Sequence, residues 1–345
     1  MPAIIPLKQG NLHINWQKEL SQAFTTPQQL LDYLQLDPAP WQSGFSARRL
    51  FAMRVPQPFA AKMRKGDAED PLLRQVLPLA AEFDQVPGFV TDPLEEHDSA
   101  LPGLLHKYRS RVLLVVRGGC AINCRYCFRR HFPYADNSPN QAGWQTALSY
   151  ISEHPEINEV ILSGGDPLMA KDAQLSTLLD GIEAIPHIKR IRIHTRLPVV
   201  IPARLTQDLL TRLTKSRLQA VMVLHVNHAN EIDQDLSNRL NHWRTAGITL
   251  LNQSVLLAGV NDSSQALCKL SERLFEAGVL PYYLHQLDKV AGAAHFAVDD
   301  AKAGSLMANM LAELPGFLVP KLVREIGGEH HKTPIDLGLA PQSLR

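Results

Sequence analysis

From residue 111 onward, short apolar runs alternate with longer amphipathic segments. The runs have the aliphatic and β-branched composition of strands covered on both faces, and the longer segments carry apolar residues at helical spacing. The predicted strands are RVLLVV (111–116), EVILSGG (159–165), IKRIRIHT (188–195), QAVMVLHV (219–226), ITLLNQSVLL (248–257) and PYYLHQL (281–287). The predicted helices lie near 141–153, 174–184, 205–215, 231–245, 264–276 and 301–313. Six strand–helix units in series predict an α/β domain, either a doubly wound sheet or a (β/α) barrel.

The first 105 residues follow a different pattern, rich in proline and with short helical signals. Thr26 followed by Pro27 is typical of a helix start, with an apolar face after it. The segment EDPLLRQVLP predicts a second short helix that Pro78 stops. We therefore expect an N-terminal helical extension and not an independent catalytic domain.

Composition and charge narrow the function classes. Of the 345 residues, 45% are hydrophobic and 20% charged, which suits a globular protein with a sizeable core. The formal charge of +1 does not favour a nucleic-acid partner. No signal peptide is apparent at the N-terminus, and no run approaches the ~18 apolar residues of a membrane span. We expect a cytoplasmic protein without membrane attachment.

Three of the four cysteines crowd into RGGCAINCRYCFRRHF, residues 117–132. Cys120, Cys124 and Cys127 form a C-x3-C-x2-C pattern directly after the first predicted strand, at the end where β/α folds place active sites. Three thiolates can bind three corners of a [4Fe–4S] cluster. The fourth iron is then open to another ligand. If that ligand is S-adenosylmethionine, an electron from the cluster can cleave it to a radical.

Two alternatives to an iron–sulfur cluster stay open for these cysteines. Zinc prefers four ligands, so His131 would have to join the three thiols, and a second C-x2-C pair is missing. A zinc-stabilised binding module is the alternative of a different class. Buried thiols that act as small apolar side chains are the second alternative, unusual in an arginine-rich loop.

The segment CAINCRYCF resembles the signature of radical S-adenosylmethionine (radical SAM) enzymes, whose fold is a partly open six-unit (β/α) barrel. The match extends to the lysine 2,3-aminomutase family, in that family's order, over most of residues 70–335. The matching segments are DPLLRQVLP, LPGLLHKYRSRVLL, CRYCFRRHF, LSGGDPL, HTRLPVVIP, LNQSVLLAGVND and PYYLHQLD. The resemblance implies an isomerase that converts α-lysine to β-lysine by a radical 1,2-amino shift. Its cofactors would be the [4Fe–4S] cluster, S-adenosylmethionine and pyridoxal 5′-phosphate.

With this resemblance, we predict three divisions of the chain. They are an N-terminal helical extension at 1–105, a radical SAM (β/α)6 barrel at 106–326, and a C-terminal loop and tail with the pyridoxal phosphate lysine at 327–345.

The resemblance also implies which residues contact S-adenosylmethionine. The motif SGGDPL ends the second predicted strand, and its family counterpart lies against the methionine part of the ligand. Gly164, Gly165 and Asp166 are therefore predicted contacts, with Asp166 accepting a hydrogen bond from the ligand's amino group. His225 and Gln253 are predicted to face the nucleoside. From the residues alone, Gly-Gly would indicate an ordinary turn.

Pyridoxal phosphate needs a Schiff-base lysine and cations for its phosphate. GGEHHKTP resembles the family's glycine-rich loop and makes Lys332 that lysine, although this loop departs from the pattern where glycines are replaced by Glu329, His330 and His331. In HKYRSR, Arg111 and Tyr108 match the phosphate-binding positions. Two further cations of this stretch are expected in solvent: Lys107 and Arg109.

Three residues are implied in substrate binding. Arg129 matches the arginine that binds the α-carboxylate, and its planar guanidinium suits that group. Asp288 matches a carboxylate that binds the distal ammonium of lysine. Glu325 stands where the family has a second carboxylate, an aspartate. An aminomutase for another amino acid, such as glutamate, is the nearest alternative, and the negative charge of Asp288 argues against it. Arg130 is expected to be structural.

Clostridial-type members of the family resemble one another in a structural zinc site, which we do not expect here. Ser263 stands at the mid-chain cysteine position, and no cysteine follows Cys268, which is predicted to be a buried apolar residue. The short C-terminus and the GGEHHK loop resemble the proteobacterial branch that supplies β-lysine for elongation factor P. The implied partners are lysine, an electron donor such as flavodoxin or ferredoxin, and a functional link to elongation factor P and its lysyl ligase. An oligomer is left open.

Overall fold

The computed structural model describes residues 15–97, 101–137 and 141–338. Nine strands form one sheet in the order in which they occur along the chain. The strands are β1 (Leu104–Tyr108), β2 (Arg111–Arg117), β3 (Glu159–Gly164), β4 (Arg190–Thr195), β5 (Gln219–His225), β6 (Thr249–Val255), β7 (Leu280–His285), β8 (Lys321–Arg324) and β9 (Thr333–Pro334). Strands β2 to β8 run parallel, and β1 and β9 pair antiparallel at the two edges.

Helices alternate with the parallel strands, as the hydrophobic pattern predicts. The helices are α1 (Trp16–Ser21), α2 (Pro27–Tyr33), α3 (Gln57–Ala60), α4 (Pro71–Arg74), α5 (Tyr134–Asn137), α6 (Gln141–Ser152), α7 (Asp172–Glu183), α8 (Leu197–Val200), α9 (Gln207–Thr214), α10 (Gln234–Thr245), α11 (Ser264–Glu276) and α12 (Asp300–Glu313). All six predicted strands and all six predicted helices are confirmed, with shifts of up to three residues at their ends. No helix in the described ranges is long and apolar enough to cross a membrane.

The strand order selects the barrel over the doubly wound sheet. In a doubly wound sheet the order reverses at a switch point, whereas here each strand from β2 to β8 lies beside the next one in the chain. The barrel is partly open, because β1 and β9 are not paired with each other. Contacts at the opening join its two sides: Nδ1 of His330 lies 2.7 Å from the Lys107 carbonyl oxygen. The seventh parallel strand, β8, was not predicted.

The N-terminal extension is built from short helices, as predicted. Thr26 caps α2 in a capping box with Gln29, and α4 is a single turn that Asp70 caps. The extension shares one apolar core with the barrel, since Leu30 and Phe59 pack in the same cluster as the strand residues. The predicted division between residues 105 and 106 falls inside β1.

Candidate active site

A cavity of about 570 Å³ extends from the carboxyl ends of the parallel strands into the barrel, where it reaches Arg111 and Glu159, the first residues of β2 and β3. Each βα connection brings its side chains to the carboxyl end because parallel strands share one direction. Every residue given a role from the sequence lines the cavity: Cys120, Cys124, Cys127, Tyr108, Arg111, Arg129, Gly164, Gly165, Asp166, His225, Gln253, Asp288, Glu325 and Lys332.

The three clustered cysteines lie unbridged on the loop after β2. Burial, together with the charge of Cys124, raises the pKa of Cys127 to about 11. Burial and the charge of Cys127 likewise raise the pKa of Cys120. The thiols therefore lie close enough to oppose one another's ionisation, which a cationic cluster would reverse. The donor set and its placement fit a [4Fe–4S] cluster.

His131 is not placed to be the fourth ligand of a zinc site. Its Nε2 lies 3.3 Å from the Ala291 carbonyl oxygen, and the residue does not line the cavity. Across the described residues, no three His, Cys, Asp or Glu side chains surround one point as a single metal ion requires. Ser263 caps α11, and Cys268 is buried in the core between α11 and α12, as predicted.

The N-terminal extension fixes the cysteine loop through a buried ion cluster. Glu82 accepts a hydrogen bond from Nε of Arg125 at 2.8 Å, and its Oε2 lies 2.7 Å from Nη2 of Arg130. Both guanidinium groups are fully buried, so this one carboxylate offsets the cost of desolvating two cations. These contacts indicate that Arg130 has the structural role expected from the sequence.

A second buried network lies beneath Cys124, and no sequence motif singles out its members. Nη1 of Arg196 lies 2.6 Å from the Cys124 sulfur. Its Nη2 donates to Gln75 at 2.8 Å and to Glu231 at 3.1 Å. Arg196 belongs to the segment HTRLPVVIP and Gln75 to DPLLRQVLP. The segments were visible in the sequence, but the contacts between them were not.

Close backbone packing explains the two glycines of the SGGDPL motif. A Cβ on Gly165 would lie 2.6–2.8 Å from the backbone of Gly118 and Gly119, and Gly164 has a positive φ of 122°. The carboxylate of Asp166 accepts hydrogen bonds from the Thr195 hydroxyl and from the backbone amides of Leu168, Arg196 and Leu197. The protein thus occupies this carboxylate, and a contact with a ligand's amino group stays a prediction.

Neutral imidazoles line the middle of the cavity. Nε2 of His225 lies 3.1 Å from the Tyr126 hydroxyl, and burial together with Arg196 lowers the pKa of His225 to about 3. His194 and His285 lie in the segments HTRLPVVIP and PYYLHQLD, but neither was given a role from the sequence. Each has a buried Nε2 with no hydrogen-bond partner in the described part of the chain. Burial places the pKa of both well below the usual range. Gln253 lies on β6 beside His225.

Lys332 and the two predicted phosphate contacts meet at the open side of the barrel. The ammonium of Lys332 lies 2.5 Å from Oε2 of Glu325. Tyr108 donates to Oε1 of the same carboxylate at 3.4 Å, and the guanidinium of Arg111 stacks on the Tyr108 ring at 3.8 Å. Burial alone would raise the pKa of Glu325, but the charge and hydrogen bond of Lys332, together with the charges of Lys107 and Arg129, outweigh burial and hold that pKa below the ordinary value. The side chain of Arg111 makes no hydrogen bond within the described residues, so its guanidinium donors are available to an anion.

Asp288 lies partly buried just beyond the end of β7, and its buried Oδ1 has no hydrogen-bond partner among the residues that the structure describes. Burial and the nearby charge of Glu325 raise the pKa of Asp288 to about 7. An unpaired buried carboxyl is costly unless a partner arrives. A cationic ligand group in the cavity would supply one.

Arg129 lies on the cysteine loop between the thiols and the strand ends. Its Nε donates to Glu96 at 2.7 Å, and its Nη1 to the Ser163 hydroxyl at 3.3 Å and to the Gly164 carbonyl at 3.4 Å. Glu96 was not selected from the sequence, because it lies outside the barrel pattern and no spacing relates it to Arg129.

The chain is similar in sequence to several known proteins. Residues 114–269 match the model of the Radical SAM superfamily. The chain is 57% identical to the L-lysine 2,3-aminomutase of Escherichia coli (strain K12), with 95% of this chain and 96% of that protein covered. It is 54% identical to the L-lysine 2,3-aminomutase of Haemophilus influenzae, covering 92% and 95%. Among solved structures, a radical SAM methyltransferase from Sphaerobacter thermophilus matches 64% of this chain and 68% of its own, at 15% identity and a TM-score of 0.47.

Proposed function

The chain belongs to the L-lysine 2,3-aminomutase family of radical SAM enzymes, and we propose that it converts L-lysine to β-lysine by moving the α-amino group to C3. One observation carries the proposal for this chain. A single cavity brings together three free thiols, an arginine, a carboxyl without a partner, and a lysine paired with a second carboxylate. Each of the groups that the reaction requires therefore has a candidate residue within one space.

The residues present fit all three cofactors. Cys120, Cys124 and Cys127 would hold the cluster, and Gly164 and Gly165, which line the same cavity, would lie beside S-adenosylmethionine. Lys332 would bind pyridoxal phosphate covalently, with Arg111 at its phosphate. When bound, the cluster and S-adenosylmethionine supply a radical, and pyridoxal phosphate supplies the π-system over which nitrogen migrates.

The protein's own groups would orient lysine by its two charged ends. Arg129 offers its free Nη2 to the α-carboxylate, and Asp288 with Glu325 offers negative charge to the distal ammonium. A glutamate side chain would meet these carboxylates with a like charge, which is unfavourable in a buried site. The walls of the barrel exclude water and so limit side reactions of the radical.

The decisive experiment uses the full chain, reconstituted without oxygen. The protein with iron, sulfide and pyridoxal phosphate is incubated with S-adenosylmethionine, a reductant and L-lysine, and the product is analysed for β-lysine. L-glutamate is the matched substrate control. A chain with its cluster and cofactor loaded that forms no β-lysine would refute the proposal.

Two variants separate the cluster from the remaining chemistry. Cys120→Ala should bind less iron and lose cluster absorbance, whereas Cys268→Ala, altered in the core away from the cavity, should keep both. Borohydride reduction of the protein loaded with pyridoxal phosphate should label Lys332 in a peptide map. A label on a different lysine would contradict that assignment.

We further propose that the β-lysine serves the modification of elongation factor P, and that flavodoxin or ferredoxin donates the electron. The resemblance of the GGEHHK loop to one branch of the family supports the first proposal. Its test is the mass of elongation factor P after incubation with its lysyl ligase and the reaction product. If the mass of elongation factor P does not increase, the result would count against this link. If the cluster stays oxidised with both flavodoxin and ferredoxin, the result would count against the proposed electron donors.

A further inference from the structure

Glu96 joins two cations that line the cavity. Its Oε2 lies 2.7 Å from Nε of Arg129, and its Oε1 lies 3.0 Å from the ammonium of Lys107. Glu96 is buried, and Lys107, which was expected in solvent, is partly covered. Burial alone would raise the pKa of Glu96, but the charges and hydrogen bonds of the two cations outweigh it and keep the carboxyl ionised.

The loop that carries Glu96 is itself held in place. Asp92 accepts hydrogen bonds from the backbone amides of Glu96 at 3.0 Å and of His97 at 2.9 Å. Lys107 donates a second bond to the Leu94 carbonyl at 3.1 Å. The position of the Glu96 carboxylate is therefore fixed from its own loop and from β1.

The contacts of Arg129 leave one edge of its guanidinium for a ligand. Nε is bonded to Glu96, and Nη1 is bonded to Ser163 and Gly164. Nη2 has no hydrogen bond to any described residue, and Arg129 lines the cavity. An arginine held at one edge can offer its remaining donors to a carboxylate at little further cost in side-chain entropy.

We propose that Glu96 is a positioning residue for substrate recognition, because it holds Arg129 in the orientation in which its free edge meets the α-carboxylate of the amino-acid substrate. The inference rests on the proposed function, since it takes lysine as that substrate. Arg129, Lys107 and Glu96 together carry a net charge of +1, which matches one carboxylate. Asp288 and Glu325, which line the same cavity, match the opposite charge of lysine.

Removal of the Glu96 charge has two opposing effects. The positive charge near the substrate carboxylate rises, which favours binding, but Arg129 loses its fixed partner. An amide at position 96 replaces one of the two carboxylate oxygens with an NH2 donor, so either Arg129 or Lys107 would face a donor in place of its acceptor. Hydrogen bonds to charged groups are stronger than those between neutral groups, so we expect the loss of orientation to prevail.

The test compares two ligands that differ only at the carboxylate. The protein loaded with cluster and pyridoxal phosphate, without reductant, is titrated with L-lysine and with L-lysine amide. Glu96→Gln should weaken the binding of lysine about tenfold, an effect of about 1.4 kcal/mol, and that of lysine amide less than about twofold. Glu96→Asp, which keeps the charge, should restore part of the affinity. Glu183→Gln, which alters a carboxylate paired with Arg212 on outer helices, is the matched control.

A double variant tests whether Glu96 acts through Arg129. In an Arg129→Lys background, Glu96→Gln should cause less than about twofold further loss of lysine affinity, because coupled residues are not additive. Thermal unfolding of each variant verifies that it folds. If Glu96→Gln does not fold, the comparison with wild type uses Glu96→Asp instead.

The outcomes separate this inference from the proposed function. Equal losses for both ligands, tighter lysine binding, or full additivity with Arg129→Lys would overturn the role of Glu96. A loaded wild-type protein that binds neither ligand would instead count against lysine as the substrate.

Discussion

The ammonium of Lys332 lies 2.5 Å from a carboxylate oxygen of Glu325, seven residues earlier in the chain. The two residues face each other because β8 ends before Glu325 and the chain turns back into β9 just after Lys332. Glu325 thus pairs with the lysine that we propose binds pyridoxal phosphate. With Lys332 bound to that cofactor, the Glu325 carboxylate would be available to a substrate ammonium.

Glu325→Gln should weaken lysine binding by about tenfold, because it removes negative charge from the ammonium end of the cavity. Borohydride labelling of Lys332 should persist, since the lysine itself is unchanged. Titration with lysine and peptide mapping measure the two effects. Glu329→Gln is the control, because Glu329 lies on the same loop with its side chain half exposed, 4.0 Å from His331. Equal losses in both variants would argue against a specific role of Glu325.

Lysine affinity should increase between about pH 6 and pH 8, because the Asp288 carboxyl, with a pKa of about 7, ionises over this range. Asp288→Asn should weaken lysine binding about tenfold or more at pH 8 and flatten the pH profile. Titrations of both proteins with lysine at several pH values measure the affinity. Asp180→Asn, an exposed carboxylate on α7, is the control. A profile that keeps its slope in Asp288→Asn would assign the titration to another group.

The same carboxyl makes a prediction about stability. Its pKa is raised on folding, so the folded state gains by binding a proton, and this gain is lost as pH rises from about 4 through 7. At pH 8, Asp288→Asn should therefore be more stable than wild type, by on the order of 2 kcal/mol, with the difference small near pH 4. Chemical unfolding at the two pH values measures it. A difference that does not change with pH would contradict the assignment.

Gly165→Ala should disturb the cysteine loop. The added Cβ would meet backbone atoms of Gly118 and Gly119 closer than 3.0 Å, and backbone cannot rotate away as a side chain can. We expect a loss of about 1–3 kcal/mol in stability and less iron bound per chain. Gly119→Ala is the matched control, because its Cβ would meet nothing within 4 Å. Iron analysis and unfolding curves of the two variants measure these effects. Equal iron content in both variants would contradict the prediction.

Glu82→Gln should be strongly destabilising. The substitution leaves Arg125 and Arg130 buried without a charged partner, which typically costs about 3–5 kcal/mol. Glu69→Gln, in the exposed pair with Arg74, should change stability by no more than about 0.5 kcal/mol. Urea unfolding of both variants provides the comparison. Similar small effects would mean that water reaches the Glu82 cluster.

The hydrophobic pattern by itself determined the main architecture. Its six strands and six helices are found in the structure because strands covered on both faces need continuous apolar runs, and covering helices need an apolar face. It did not reveal β8, since the four residues KLVR are too short and too mixed in polarity to stand out. Motif resemblance selected the barrel, and the unreversed strand order confirms it.

The candidate site likewise has some residues that the sequence indicated and others that only the structure showed. Local spacing identified the cysteines, because one loop carries all three, and motif resemblance identified Lys332, Arg129 and Asp288. Only the tertiary structure showed the partners: Glu96 lies 33 residues from Arg129, and Arg196 lies 72 residues from Cys124. No periodicity relates positions so far apart. Their contacts arise when the barrel brings separate loops to one end, where burial makes each charged group depend on a partner.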